Sequence, residues 1–207
     1  MPKKAASKNE RNPAGTRQRL IGATVQLMLR QGFAGTSVDQ ICEVAGLTKG
    51  SFFHHFGSKE AIGRAAVEWW GDFGTSLYAE AWKDEGLDPL EQIHRMLEIM
   101  SGFTRRKDQG CTCMVGMMSQ ELAQTHPAMR EECARQLEIW TANVARMLTA
   151  AKKKHRPKTK FDPVAVAWFL NSLWQGSMLI GKTRQTPAMI RQNLKFARAY
   201  VDGLFAA

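Results

Sequence analysis

Two stretches of this chain gather side chains able to do chemistry. The first, LTKGSFFHHFGSKEA (Leu47–Ala61), sets two adjacent histidines among lysines, serines and glycines. The histidines suggest a metal or a proton shuttle, and lysine and serine around glycine suggest a phosphate. Spacing argues against the first reading. Successive residues of a helix diverge by about 100°, so His54 and His55 cannot chelate one ion together, whereas helical metal sites use positions i and i+4. The glycine spacing of a nucleotide-binding loop is absent as well. The second stretch, GCTCMVGMMSQEL (Gly110–Leu122), carries Cys111 and Cys113, which a helix would likewise point apart. Cys133 joins them only if two later helices touch there. No paired carboxylates and no Ser/His/Asp arrangement argue for catalysis, so neither an enzyme, a cofactor nor a metal site is expected.

The elements that must position these residues read as helices. Met129, Cys133, Leu137, Trp140, Val144 and Met147 recur at steps of three or four, as do Ile190, Leu194, Ala197, Val201 and Leu204. No run of alternating β-branched residues suggests a strand. Asp88-Pro89, His126-Pro127, Asp162-Pro163 and Thr186-Pro187 each place proline at the first position of a helical pattern, where its missing N–H costs nothing. The result is an all-α fold of about nine helices, near 14–31, 37–45, 48–55, 58–83, 88–106, 112–124, 127–153, 162–183 and 187–205. Short helices cluster in 37–55 and long ones follow, as expected of a small domain joined to a larger bundle.

Charge says what the small domain meets. The 207 residues carry a net charge of +10, an excess that points to a polyanion. Residues 1–65 hold ten Lys/Arg against four Asp/Glu, and the loop Lys152–Lys160 adds six cations and no acid. No signal peptide is visible, and four cysteines without one suit a reducing cytoplasm. The most apolar run, Val164–Gly181, is interrupted by Asn171, Ser172, Gln175 and Ser177 and reads as a helix buried on several sides rather than a membrane span.

Within TSVDQICEVAGLTKGSFFHHFGSKE (Thr36–Glu60), Ser37 and Gln40 make a capping box opening a short helix that Gly46 ends. Thr48 then caps a second short helix through Phe56. Two such helices around a glycine turn make a helix-turn-helix, whose second helix enters the DNA major groove. Helix N-termini at Ser37, Thr48 and Ser58 suit phosphate. Lys59, in a first turn where it opposes the dipole, would be explained by a phosphate nearby. Phe52 and Phe56, four apart, read as core. Lys3, Lys4, Lys8, Arg11, Arg17 and Arg19 form a basic arm able to enter the minor groove or track phosphates, or simply to keep the chain soluble.

The segments RQRLIGATVQLMLRQ and GFAGTSVDQICEVAGLTKGSFFHHFGSKEAI, about fifty residues in all, resemble the DNA-binding domain of the TetR family of bacterial transcriptional regulators. The resemblance implies that Thr48, Lys49, Gly50, Ser51, Phe53, His54 and Lys59 meet DNA, beside Ser37. The family usually has tyrosine where this chain has Phe53, so a hydroxyl contact to phosphate is absent. It further implies a flexible basic arm at 1–13, a helix-turn-helix domain at 14–57, and a domain at 58–207 that binds an effector and dimerises. The expected protein is a homodimeric repressor that binds a palindromic operator in double-stranded DNA and is released by a small molecule.

For that effector, Trp69, Trp70, Phe73, Met100, Phe103, Met117, Trp140, Met147, Trp168 and Trp174 are the candidate contacts, since methionine and tryptophan suit an adaptable hydrophobic or aromatic site. Ser172, Leu173 and Gly176 with Leu194, Val201 and Leu204 are the candidate dimer interface, as a four-helix bundle of two copies. GCTCMVGMMSQEL resembles a "GC…G…QE" segment in one branch of the family, some of whose members respond to electrophiles through a cysteine. Matching Gly116 and Glu121 makes Cys113 the shared cysteine, with Thr112 in place of the usual glycine. A thiol at a helix N-terminus has its pKa lowered, which gives an alternative mechanism, a cysteine-based redox or electrophile sensor. Set against it is a small buried cysteine that merely starts a helix.

Overall fold

The structure is a computed structural model that describes residues 13–84, 86–105 and 112–206. It contains ten helices and no strand among those residues: α1 (Pro13–Gln31), α2 (Val38–Ala45), α3 (Lys49–His55), α4 (Lys59–Leu77), α5 (Ala79–Lys83), α6 (Pro89–Phe103), α7 (Met114–Leu122), α8 (Pro127–His155), α9 (Pro163–Thr183) and α10 (Pro187–Phe205). The all-α reading holds. The count exceeds nine because the helix expected over 58–83 breaks at Tyr78, whose φ of −91° and ψ of 0° leave the helical region. Gly71, Gly74, Thr75 and Ser76 weaken the approach to that break, and the Ser76 hydroxyl donates to Phe73 O at 2.7 Å, competing with the backbone ladder.

Local chemistry sets the other boundaries as the sequence predicts. Gln40 N–H donates to Ser37 Oγ at 3.2 Å while Ser37 N–H donates to Gln40 Oε1 at 2.9 Å, completing the capping box of α2. Gly46 ends that helix in the left-handed region at φ 62°. Thr48 and Ser58 accept from Ser51 N–H and Ala61 N–H to cap α3 and α4. Pro89, Pro127, Pro163 and Pro187 each stand in the first turn of a helix.

α1, α2 and α3 pack around Leu20, Ile21, Ile41, Phe52 and Phe56, and α4 runs from this head into the body. In the body α8 lies at the centre, against α4, α6, α7 and α9, while α10 packs on α6 and α9. α9 is buried on one side only. Val164, Trp168, Phe169, Leu179 and Ile180 leave it exposed on the other, and Phe196 and Tyr200 are exposed on α10. None of the described helices is long and apolar enough to cross a membrane.

Candidate DNA-reading face and effector cavity

α3 presents its first turn outward. Thr48, Lys49 and Gly50 are exposed and Ser51 is half-buried. Phe53 is 56% exposed although its edge meets Phe52, at 5.1 Å between ring centres. An apolar ring held out from a recognition helix, touched only at its edge among the described residues, suits contact with a base edge. His54 is exposed and His55 half-buried. The rings meet edge to face at 5.0 Å, in keeping with their divergence along the helix. Lys49 Nζ lies 2.8 Å from Asp39 Oδ1, both side chains mostly exposed, so an acid of α2 holds the first cation of α3. Ser37 is exposed at the N-terminus of α2 with its hydroxyl engaged in the cap.

Lys59 differs from expectation. Its amine donates to Phe33 O at 3.1 Å and Thr36 O at 3.0 Å and lies 4.3 Å from the centre of the Phe33 ring. The carbonyls of the α1–α2 turn already offset its unfavourable place in the helix dipole. The basic arm is corrected in the same way at its C-terminal end. Arg17 covers the Phe56 ring at 5.2 Å, and Arg19 donates to Ala45 O and to Gly46 O. Both belong to α1 and hold α2 and α3 in place. Lys3, Lys4, Lys8 and Arg11 lie outside the described residues.

The body contains a cavity of about 80 Å3 between α4, α7, α8 and α9, lined also by Tyr78 and by Phe103 of α6. Trp70, Phe73, Phe103, Trp140 and Trp174 line it, five of the ten residues expected there. Trp69 stands outside, stacked on Phe73 with the planes 4° apart. Met100 and Met147 are core. Met117 takes the Lys182 amine at 3.2 Å in a neighbouring cleft. Trp168 is 42% exposed on the outer side of α9; six residues from Trp174 is about 240° around a helix, so the two cannot face one cavity. The dimer residues divide similarly. Ser172 is exposed and Leu173 and Gly176 are half-buried. Leu194, Val201 and Leu204 instead lie in the chain's own core, because α10 spends that stripe against α6 and α9.

The polar lining was not anticipated. Asn171 Nδ2 donates to Thr141 Oγ1 at 2.8 Å, Gln136 Nε2 donates to Glu132 Oε1 at 2.8 Å, and Gln175 Nε2 reaches Asn171 Oδ1 at 3.5 Å. Asn171 and Gln175 interrupt the apolar run of α9 four residues apart, and that spacing was the available signal. Glycine makes room for two of these amides. A Cβ at Gly71 would stand 1.7 Å from Gln136 Oε1, and one at Gly116 would stand 2.4 Å from Gln175 Oε1.

Cys113 is in the cavity wall, accepting from Gln175 Nε2 at 3.6 Å, with Trp70 and Tyr78 beside it. Burial pushes its thiol up, although the N–H groups of Gly116 and Val115 act the other way. The helix N-terminus therefore does not produce the lowered pKa expected of it. Desolvation of a thiolate outweighs a few partial charges. Cys133 is buried and pushed up to about 11, chiefly by burial. Cys111 lies outside the described residues.

Glu121, two turns along α7 from Cys113, links this cavity to the head. Its carboxylate accepts from Phe33 N–H at 2.9 Å and Ala34 N–H at 2.7 Å. His126 adds an edge contact to the Phe33 ring at 5.4 Å. One end of α7 thus borders the cavity and the other grips the α1–α2 corner.

Both halves match known families. Residues 20–66 match bacterial regulatory proteins of the tetR family, and residues 89–197 match the tetracyclin repressor-like C-terminal domain. The transcriptional regulator AcuR of Cereibacter sphaeroides is 28% identical over 177 residues, 82% of this chain and 78% of that protein. The HTH-type transcriptional repressor NemR of Escherichia coli strain K12 is 26% identical over 206 residues, 96% and 98% of the two chains. The solved regulatory protein TetR from Rhodobacter sphaeroides shares the fold with a TM-score of 0.80 at 25% identity, covering 89% of this chain and 98% of that one. With a helix-turn-helix head, a helical body and family matches to both, this chain belongs to the TetR family of transcriptional regulators, which bind DNA and are not enzymes.

Proposed function

We propose that this protein is a homodimeric repressor, with a DNA-reading head at 14–57 and an effector-binding and dimerising body at 58–207. On this reading it binds a palindromic operator and is released by a small hydrophobic effector in the α4–α7–α8–α9 cavity. The observation that carries the reading is the course of α7 from the cavity wall at Cys113 to the head at Glu121. A ligand that moves the first turn of α7 shifts the corner that fixes α1 against α2 and changes the spacing of two heads on a two-fold axis. Ser37, Thr48, Lys49, Gly50, Ser51, Phe53 and His54 form the DNA face. The second copy covers the exposed apolar side of α9 and α10. Val164, Trp168, Ser172, Gly176 and Ile180 form one i,i+4 stripe, large at its ends and small at its centre, flanked by Phe196 and Tyr200. Half-sites of a two-fold dimer are inverted repeats about one helical turn apart or a multiple of it.

The experiment is operator selection from the DNA flanking the gene, followed by light scattering and footprinting of native protein and a Trp168→Glu/Phe196→Glu variant. A native dimer footprinting a palindrome, and a variant that is monomeric and binds only with non-specific affinity, is the expected result. A dimeric variant, or a footprint without symmetry, sinks the proposal.

A second reading rests on the position of Cys113. Cys113 lines the effector cavity, so an electrophile admitted there would meet its thiolate: an aldehyde carbon would form a hemithioacetal and a quinone carbon a thioether, the proton given up by the thiol being regained at the oxygen of the adduct. The raised pKa disfavours this route at neutral pH. Operator release by an aldehyde or quinone that is lost in Cys113→Ala would establish it, and equal release in both proteins would eliminate it.

A further inference from the structure

We propose that the cavity takes a compact, uncharged molecule carrying a hydrogen-bond acceptor, a carbonyl compound in the simplest case, and that Trp140 and Tyr78 are its donors. The inference rests on the effector reading of that cavity and goes further by naming the ligand's chemistry. Among the described residues no Asp, Glu, Lys, Arg or His lines the cavity, so a charged ligand would lose its hydration without gaining a counter-ion from them. The walls are aromatic and aliphatic, with Phe73, Leu137, Val115 and Trp174 among them. At about 80 Å3 the space is smaller than the roughly 150 Å3 of an engineered cavity that admits benzene, which sets the ligand's scale.

The polar groups are unevenly spent. The Trp140 indole N–H is buried with no acceptor among the described residues. Tyr78 is buried, and no hydrogen bond engages its hydroxyl among those residues. The Gln175 amide reaches only long contacts, 3.5 Å to Asn171 Oδ1 and 3.6 Å to Cys113 Sγ. The Asn171 Nδ2 amine, by contrast, is occupied by Thr141 Oγ1 and Leu137 O. Buried donors without acceptors are rare because each forfeits its water. A buried unpaired indole N–H and an unengaged phenol on one apolar cavity select a ligand that brings an acceptor, and a site built to hydrogen-bond an oxygen rejects the isostere lacking it.

The test uses the full chain labelled with 15N and three probes of the same size and shape, each with four heavy atoms: acetone, isobutene and acetate. The Trp140 indole resonance is identified by its loss in Trp140→Phe. The ketone should bind saturably and move that resonance downfield. The hydrocarbon, of the same shape without the oxygen, should bind about tenfold more weakly with no downfield movement, one net hydrogen bond being worth roughly that factor. The carboxylate should not bind. Trp140→Phe and, independently, Tyr78→Phe should each bring the ketone toward the hydrocarbon's affinity while leaving the hydrocarbon unchanged. Hydrocarbon binding as tight as the ketone's, or carboxylate binding tighter than either, overturns the proposed ligand class. Saturable binding of none of the three overturns the effector reading of the cavity itself.

Discussion

Lys49 and Lys59 stand ten positions apart in the same motif and do different work. Lys49 is held at the surface by an exposed acid, whereas Lys59 turns into the chain and satisfies two carbonyls of the α1–α2 corner. Replacing Lys49 with alanine should lower the salt dependence of operator binding by about one phosphate contact and leave thermal stability unchanged. Lys59→Met should do the reverse. It removes two charge-assisted hydrogen bonds at a part-buried site, a loss of about 1–3 kcal/mol, and leaves the salt slope as it was. Binding across a salt series with parallel melting curves separates the two. An unchanged melting temperature in Lys59→Met would return that residue to the DNA face.

At the scale of elements, α6 and α7 show how helix ends carry the tertiary structure. Asp88 accepts from Leu90 N–H at 2.8 Å to cap α6 and meets Lys154 and His155 at the end of α8, each at 2.8 Å. Burial alone would raise its carboxyl, but those three partners together hold it well below the usual carboxylate range. A depressed folded pKa means stability that is fully present above the unfolded value near 4 and lost as pH falls through the folded one. Asparagine keeps an oxygen to accept from Leu90 N–H and loses only the charge facing Lys154 and His155, so Asp88→Asn should cost about 0.5–1 kcal/mol at neutral pH, the size of part-exposed ion pairs. The gap from the native protein should close in acid below pH 4, and urea melts across pH check it; a gap that widens in acid would refute the assignment. α7 is tested at its other end. Glu121→Ala leaves the Phe33 and Ala34 amides unpaired, worth about 1–3 kcal/mol, so their hydrogen exchange should accelerate and operator affinity should fall. Unaltered exchange at those two amides would show that α7 does not hold the head.

The whole molecule separates its two basic regions. α8 begins beside the head, where His126 meets Phe33, and its 29 residues carry the chain about 43 Å away at 1.5 Å per residue. The cationic segment 152–160 is the last turn of α8 at that far end and the loop after it. Inside it, Lys152 donates to Phe161 O and Lys154 pairs with Asp88, so part of the charge is structural. Beyond roughly 10 Å, salt screens what remains from the operator. Neutralising Lys153, Lys158 and Lys160 together should leave the salt slope of DNA binding unchanged, and a slope lower by two or more contacts would place the loop on DNA.

Most helices, several of their caps and the DNA-reading motif were legible in the residue order, because those depend on neighbours within four or five residues: Ser37 with Gln40, Gly46, Thr48, and the prolines at 89, 127, 163 and 187. The residue order also marked Phe52 and Phe56 as core by spacing alone. Which apolar stripe meets what is settled by packing across the fold. Leu194, Val201 and Leu204 have the periodicity of an interface, and so does any helix face that its own chain covers. Periodicity records that a face is apolar and not who buries it, which is why half of the expected cavity residues proved to be core or surface. Lys59 and Cys113 failed for a related reason. Helix-dipole arguments are local, while a carbonyl pair 23 and 26 residues away and the burial of a thiol are contributed by the rest of the fold. The Glu121 contact spans 87 and 88 residues of sequence, and no local pattern encodes it.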